Sequence, residues 1–118
     1  MHELSIAQAL VSEVQKVGEE SAALAVNSLK IRIGALSGVE RGALEMAFPF
    51  AAEGTLCEGS VLHIEDVPTE IECRECGSFS SPSDFVFVCS QCGSSDVEVR
   101  AGREMMIESV NLELPDDE

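Results

Sequence analysis

Two short motifs constrain this chain more than anything else in it: Cys73-Arg-Glu-Cys76-Gly77 and Cys89-Ser-Gln-Cys92-Gly93. Two residues between cysteines let a tight turn aim both sulfurs at one point, and zinc asks for four such sulfurs at about 2.3 Å. The glycine after each second cysteine can take a positive φ, which turns the chain away and leaves backbone N–H groups facing the thiolates. Twelve residues separate the pairs, enough for a hairpin out and back. An iron site of the rubredoxin kind, a dithiol redox pair and metal-free cysteines are the competing readings. Redox pairs usually stand singly beside a βαβ unit, so two matching knuckles fit a ribbon better. The expectation is a structural metal, zinc, held by Cys73, Cys76, Cys89 and Cys92. Four protein ligands leave no open position for chemistry.

The rest of the chain supplies a frame for this module. Ser5-Ile-Ala-Gln8 fits a capping box, and Ala7, Leu10, Val11, Val14 and Val17 follow at helical spacing, so a helix is expected over about 5–18 with Gly18 as its stop. Met1 to Leu4 then lead into it. Leu29, Ile31 and Ile33 alternate with Lys30 and Arg32, the period of a half-buried strand. A second capping box, Ser37-Gly-Val-Glu40, precedes a second helical segment in which Pro49 must kink or end the helix or find room. Strands are expected at Val61–Val67 and Met105–Leu112. The order is helix, strand, helix, strand, cysteine module, strand, an α+β fold with a small sheet, two helices and an inserted zinc ribbon. The expected division is 1–67 plus 104–118 for the frame and 68–103 for the insert.

Charge narrows the partners. Among 118 residues, 22 Asp and Glu face 7 Lys and Arg, a formal charge of −15. Such a polyanion repels phosphate backbones and anionic lipid, so neither nucleic acid nor membrane is expected as a partner. No stretch reaches the roughly 18 apolar residues of a membrane helix. The first residues lack the features of a secretory signal, so a cytoplasmic protein with reduced thiols is expected. Cys57 reads as a spare thiol and His63 as an ordinary strand histidine.

His2 is different because of its neighbours. The α-amine of Met1, the backbone nitrogen of His2 and its ring Nδ1 can close five- and six-membered chelate rings around one metal. Glu3 can add a fourth donor, a backbone nitrogen or its carboxylate. A tetragonal set of nitrogen and oxygen donors suits Ni(II) or Cu(II), with copper favoured by intrinsic affinity.

Taken in order, Met1-His2-Glu3-Leu4-Ser5-Ile6, Gly34, Leu36-Ser37-Gly38-Val39-Glu40, Ala52-Glu53-Gly54-Thr55, both cysteine knuckles and Gly102-Arg103-Glu104-Met105 resemble the HypA/HybF nickel-insertion accessory proteins. The likeness spans nearly the whole chain, and Pro49 is a departure from it that touches no metal position. It implies a nickel metallochaperone for NiFe hydrogenases, with no catalytic residues. Nickel would bind through His2 with Glu3 and Met1, and zinc through Cys73, Cys76, Cys89 and Cys92. The implied partners are an accessory GTPase and the hydrogenase large subunit; some members also serve urease maturation proteins. The alternative is a zinc-ribbon adaptor that joins proteins and carries no nickel.

Overall fold

The computed structural model describes residues 2–82 and 85–116. They form α1 (Glu3–Glu20), β1 (Ala25–Gly34), α2 (Arg41–Ala52), β2 (Val61–Val67), β3 (Glu70–Cys73), β4 (Phe79–Ser80), β5 (Val97–Ala101) and β6 (Met105–Glu113). Two three-stranded sheets result, ordered β2-β1-β6 and β4-β3-β5. The chain groups into two compact units, one drawn from residues 1–31, 39–65 and 106–118, the other from 32–38 and 66–105.

In the first unit the apolar stripe of α1 (Ile6, Ala7, Leu10, Val11, Val14) and that of α2 (Leu44, Phe48, Ala52) are buried. Val26, Leu29 and Ile31 of β1 complete the core. Burying each large aliphatic here contributes roughly 1.5–3 kcal/mol. Ser60 Oγ donates to the Val26 carbonyl at the start of β1. Near the other end, Ala35 N–H donates to the Val67 carbonyl. Starts and ends match, so β1 and β2 run in the same direction, with α2 as the crossover between them. β6 runs the opposite way: Leu24 N–H bonds the Glu113 carbonyl, and Gly34 N–H bonds the Glu104 carbonyl.

Three expectations need correction. The first helix begins at Glu3, with His2 at the N-cap and no side-chain cap, so Ser5 is inside its first turn and Glu3 and Leu4 belong to the helix. Glu3 favours this start because a carboxylate in the first turn complements the helix dipole. Gly18 does not stop the helix. It is buried, and a Cβ there would stand 2.7 Å from Leu56 Cδ1, so its smallness serves packing. The chain turns at Ser21 and Ala22 (φ +53°), where Ala23 N–H bonds the Gly18 carbonyl at 2.9 Å. At α2 the N-cap is Glu40 rather than Ser37: its carboxylate accepts from Gly42 N–H at 3.2 Å and Ala43 N–H at 2.5 Å. Pro49 sits inside α2 without ending it. It and Glu45, whose carbonyl loses its usual donor, both lie on the exposed side, where water can serve that carbonyl.

In the second unit β3 is central and antiparallel to both neighbours, pairing Ile71 with Ser80 and with Val99. Ile71 is fully buried. A tight crossing closes this unit. Leu36 N–H donates to the Gly102 carbonyl at 2.6 Å, and Gly102 N–H donates to Glu104 Oε1 at 2.7 Å. A Cβ on Gly34 would fall 2.1 Å from the Gly102 carbonyl oxygen, and one on Gly102 would fall 2.9 Å from Thr69 Cα. The glycines of the Gly34 and Gly102-Arg103-Glu104 motifs therefore let backbone approach backbone.

Candidate metal centres

Each cysteine knuckle is built by the same hydrogen bonds. Gly77 N–H donates to the Cys73 carbonyl and Gly93 N–H to that of Cys89, both at 2.9 Å. Cys73 N–H and Cys89 N–H bond the carbonyls of Ser78 and Ser94 at 2.9 and 2.8 Å. The glycines take φ of +76° and +77°. The turns direct Cys76 N–H toward Cys73 Sγ at 3.5 Å and Gln91 N–H toward Cys89 Sγ at 3.4 Å. β3 supplies Cys73 directly, and its pairing with β5 sets Cys73 opposite Val97.

The two knuckles meet. Cys73 and Cys92 sulfurs stand 3.6 Å apart, Cys76 and Cys89 sulfurs 3.5 Å, and all four lie within 4.8 Å of one another. A tetrahedral zinc–sulfur site of about 2.3 Å bonds requires sulfurs about 3.8 Å apart, so the group is clustered as for a zinc site. Cys73 and Cys89 are buried while Cys76 and Cys92 are exposed. The thiols also interact strongly. The Ser78 hydroxyl and N–H pull Cys76 down to about 6. The Ser94 N–H pulls Cys92 the same way, but the Cys73 sulfur, desolvation and the other two thiols outweigh it and push Cys92 up to about 12. One thiolate in this cluster thus opposes the next, and a dication removes that opposition. Among the described residues this is the only grouping of three or more His, Cys, Asp or Glu side chains that could hold a metal.

The N-terminal residues are arranged differently. His2 is exposed, and its carbonyl accepts the first bond of α1, from Ile6 N–H at 3.1 Å. Glu3 Oε2 accepts the backbone N–H of Glu40 at 3.2 Å. That bond holds the Glu3 carboxyl below the usual glutamate range. Met1 lies outside the described residues. His63 is exposed on β2, away from any ligand cluster. Cys57 is fully buried, and desolvation pushes its thiol up, so it is an inert packing residue. Sequence reasoning misses Glu40 as the group joining the two helix starts; its signal, a carboxylate just before Arg41, is hidden by the false capping box at Ser37.

An α+β chain with two covering helices and four cysteines clustered as for a zinc site belongs with small metal-binding proteins. Known proteins narrow the class. The profile described as "Hydrogenase/urease nickel incorporation, metallochaperone, hypA" matches residues 1–112. Hydrogenase maturation factor HypA of Nitrosospira multiformis is 46% identical over 112 residues, covering 95% of this chain and 97% of that protein. The HypA of Aquifex aeolicus is 37% identical over 114 residues, covering 97% and 99%. The solution structure of the Ni metallochaperone HypA from Helicobacter pylori superposes with a TM-score of 0.68 at 26% identity, covering 98% of this chain and 100% of that one. The chain belongs to the HypA family of hydrogenase maturation factors and nickel metallochaperones.

Proposed function

We propose that this chain binds one Ni(II) ion at its N-terminus and delivers it to a NiFe hydrogenase during assembly, while zinc in the cysteine cluster shapes the second unit. The family supports the cargo, since the solved relative from Helicobacter pylori is described as a Ni metallochaperone. The observation that carries the placement is the start of α1 at Glu3 with exposed His2 as its N-cap. The first N–H groups of a helix have no partner within it, so a backbone nitrogen there can lose its proton to a metal without breaking a helical bond. The positive end of the helix dipole favours the resulting anionic nitrogen. Met1 amine, His2 backbone nitrogen and Nδ1, and Glu3 complete the donor set.

In this reading the zinc ligands are Cys73, Cys76, Cys89 and Cys92, and residues 68–103 form the zinc insert within a nickel domain of 1–67 and 104–118. The protein works in the cytoplasm and catalyses no reaction. Its partners are the accessory GTPase of nickel insertion and the hydrogenase large subunit, with urease maturation proteins as a further route. Iron in the cysteine site would make the protein red, whereas zinc leaves it colourless.

Equilibrium dialysis of nickel against zinc-loaded protein tests the reading. One extra residue before Met1 turns the amine into an amide and breaks the first chelate ring. This extended protein, like His2→Ala, should bind nickel at least ~10-fold more weakly, with zinc content and thermal stability unchanged. If both bind as tightly as the parent, the N-terminal site is wrong and the zinc-ribbon adaptor becomes the better account.

A further inference from the structure

Beside the proposed nickel donors, within the first unit, lies an open apolar groove of about 570 Å³, lined by Leu4 of α1 and by Ala43, Met46, Ala47 and Phe50 of α2. Leu4 is 48% exposed, and Met46 and Phe50 are each 75% exposed. The chain has five Phe and neither Trp nor Tyr. Phe50 stands in line with Met46, four residues before it, so two large apolar side chains share one exposed face of α2. Contiguous apolar surface rimmed by polar groups marks an interaction site. The groove is also tied to the metal site by sequence: Leu4 directly follows Glu3, so anything seated against it lies within one helical turn of the nickel donors.

The rim states what kind of partner fits. Glu3 precedes Leu4, Glu45 precedes Met46, and Glu53 follows Phe50 by three residues, extending the line of Met46 and Phe50. Arg41 offsets Glu45 at 3.4 Å, so the net acidity beside the groove rests on Glu3 and Glu53. An apolar floor with an acidic rim is complementary to an amphipathic helix carrying Leu or Phe on one face and Lys or Arg beside it. A second copy of this chain is the wrong occupant. Each copy bears −15, and the acidic rim would face itself.

We propose that the groove of Leu4, Ala43, Met46, Ala47 and Phe50 docks a basic amphipathic helix of the protein that accepts the nickel. This rests on the delivery reading, because it makes the docked helix the means by which the acceptor is held beside His2. Occupancy of the groove presses on the first turn of α1, so docking and release of the ion share one element.

The test uses the full zinc-loaded chain without nickel and three short labelled helical peptides as probes. The first carries Leu and Phe at i, i+4 and i+7 among Lys and Arg. The second has Glu in place of the basic residues, and the third has Ser in place of the apolar ones. Only the first should bind by fluorescence anisotropy, and its NMR shifts should centre on Leu4, Ala43, Met46, Ala47 and Phe50. Phe50→Ser, a change at an exposed position, should weaken that binding at least ~10-fold while nickel dialysis stays at the parent value. Equal binding of the Ser peptide, or no effect of Phe50→Ser, would show attraction by charge alone and overturn the proposal. Sedimentation of the parent as a dimer that Phe50→Ser dissociates would assign the groove to a second copy instead. Peptide capture by a parent that fails to bind nickel would leave a docking groove but sink both the delivery reading and the acceptor as its occupant.

Discussion

The carboxylate of Glu3 already has a partner, the backbone N–H of Glu40 at 3.2 Å, and this one bond explains two departures from the sequence reading. In a Ser37–Glu40 capping box, Glu40 would sit a turn inside the helix and reach back toward Ser37. With its N–H given to Glu3, Glu40 instead stands at the N-cap and turns its carboxylate onto Gly42 and Ala43. Likewise the Ser5 box fails because Glu3 is held in helical position at the start of α1. Local patterns could not reveal a contact between residues 37 apart in sequence. The bond also separates the two roles open to Glu3. Its carboxylate is a tie between helix starts, so in the proposed nickel site the donor it offers is its backbone nitrogen. Glu3→Gln keeps an oxygen that can accept from Glu40 and should bind nickel within about 3-fold of the parent, whereas Glu3→Ala should lose about 10-fold. Isothermal titration of both variants decides it, and a severe loss in Glu3→Gln would make the carboxylate a ligand. The pH sign follows from the lowered carboxyl: the tie is fully present above the usual glutamate range and is lost as pH falls through the depressed midpoint. In nickel-free protein the Glu40 amide resonance should track that midpoint, below the ordinary value of about 4.3.

Elements are most legible where the chain's own punctuation marks both ends. The strand expected at Val61–Val67 has those bounds in the structure, set off by Gly59-Ser60 before it and Pro68 after it. β6 runs one residue beyond its expected end. β1 is longer than its alternating heart, running from Ala25 to Gly34, because pairing with β2 and β6 recruits residues whose own pattern is weak. Gly18 misleads because a buried glycine and a terminating one look alike in sequence. The crossing of Gly34 and Gly102 is invisible there for the same reason as the Glu3 tie: it is a meeting of distant backbones. It makes a sharp prediction. Gly34→Ala would put a methyl against the Gly102 carbonyl and should cost at least ~3 kcal/mol, as overpacking against immobile backbone does. Gly54 takes φ +77°, and a methyl added there would meet nothing within 4 Å, so Gly54→Ala should cost only the left-handed strain, ~1–2 kcal/mol. Urea denaturation of the pair measures the difference; equal losses would mean that the Gly34 approach is relieved by a small backbone shift.

For the molecule as a whole, the two units depend on different forces. The unit holding α1 and α2 has an extensive apolar core, from Ala7 and Val14 through Leu29 and Ile31 to Leu44 and Phe48. The other unit buries Ile71 and Val67 but leaves Phe79, Phe85, Val86 and Val88 exposed, so around the cysteine cluster it has little core of its own. What it has instead is four converging sulfurs and ion pairs such as Arg74 with Asp96 at 2.9 Å and Arg100 with Glu72 at 2.6 Å. Those pairs are solvent-exposed or nearly so, and exposed pairs are worth at most ~1 kcal/mol each. A structural zinc contributes on the order of 10 kcal/mol of coupled folding free energy in small modules, far more than the pairs supply. Removing zinc with a chelator, or substituting Cys73→Ala or Cys92→Ser, should therefore unfold residues near 70–103 and leave the helices standing. Hydrogen exchange should rise to unprotected rates across β3, β4 and β5 while Leu10, Val14 and Leu44 stay protected and the helical circular dichroism persists. Each cysteine variant, loaded with zinc under the same conditions as the parent, should retain less of it. Retention of zinc with unchanged protection across 70–103 in both variants would show that the tetrathiolate does not hold this unit together, whatever metal it carries.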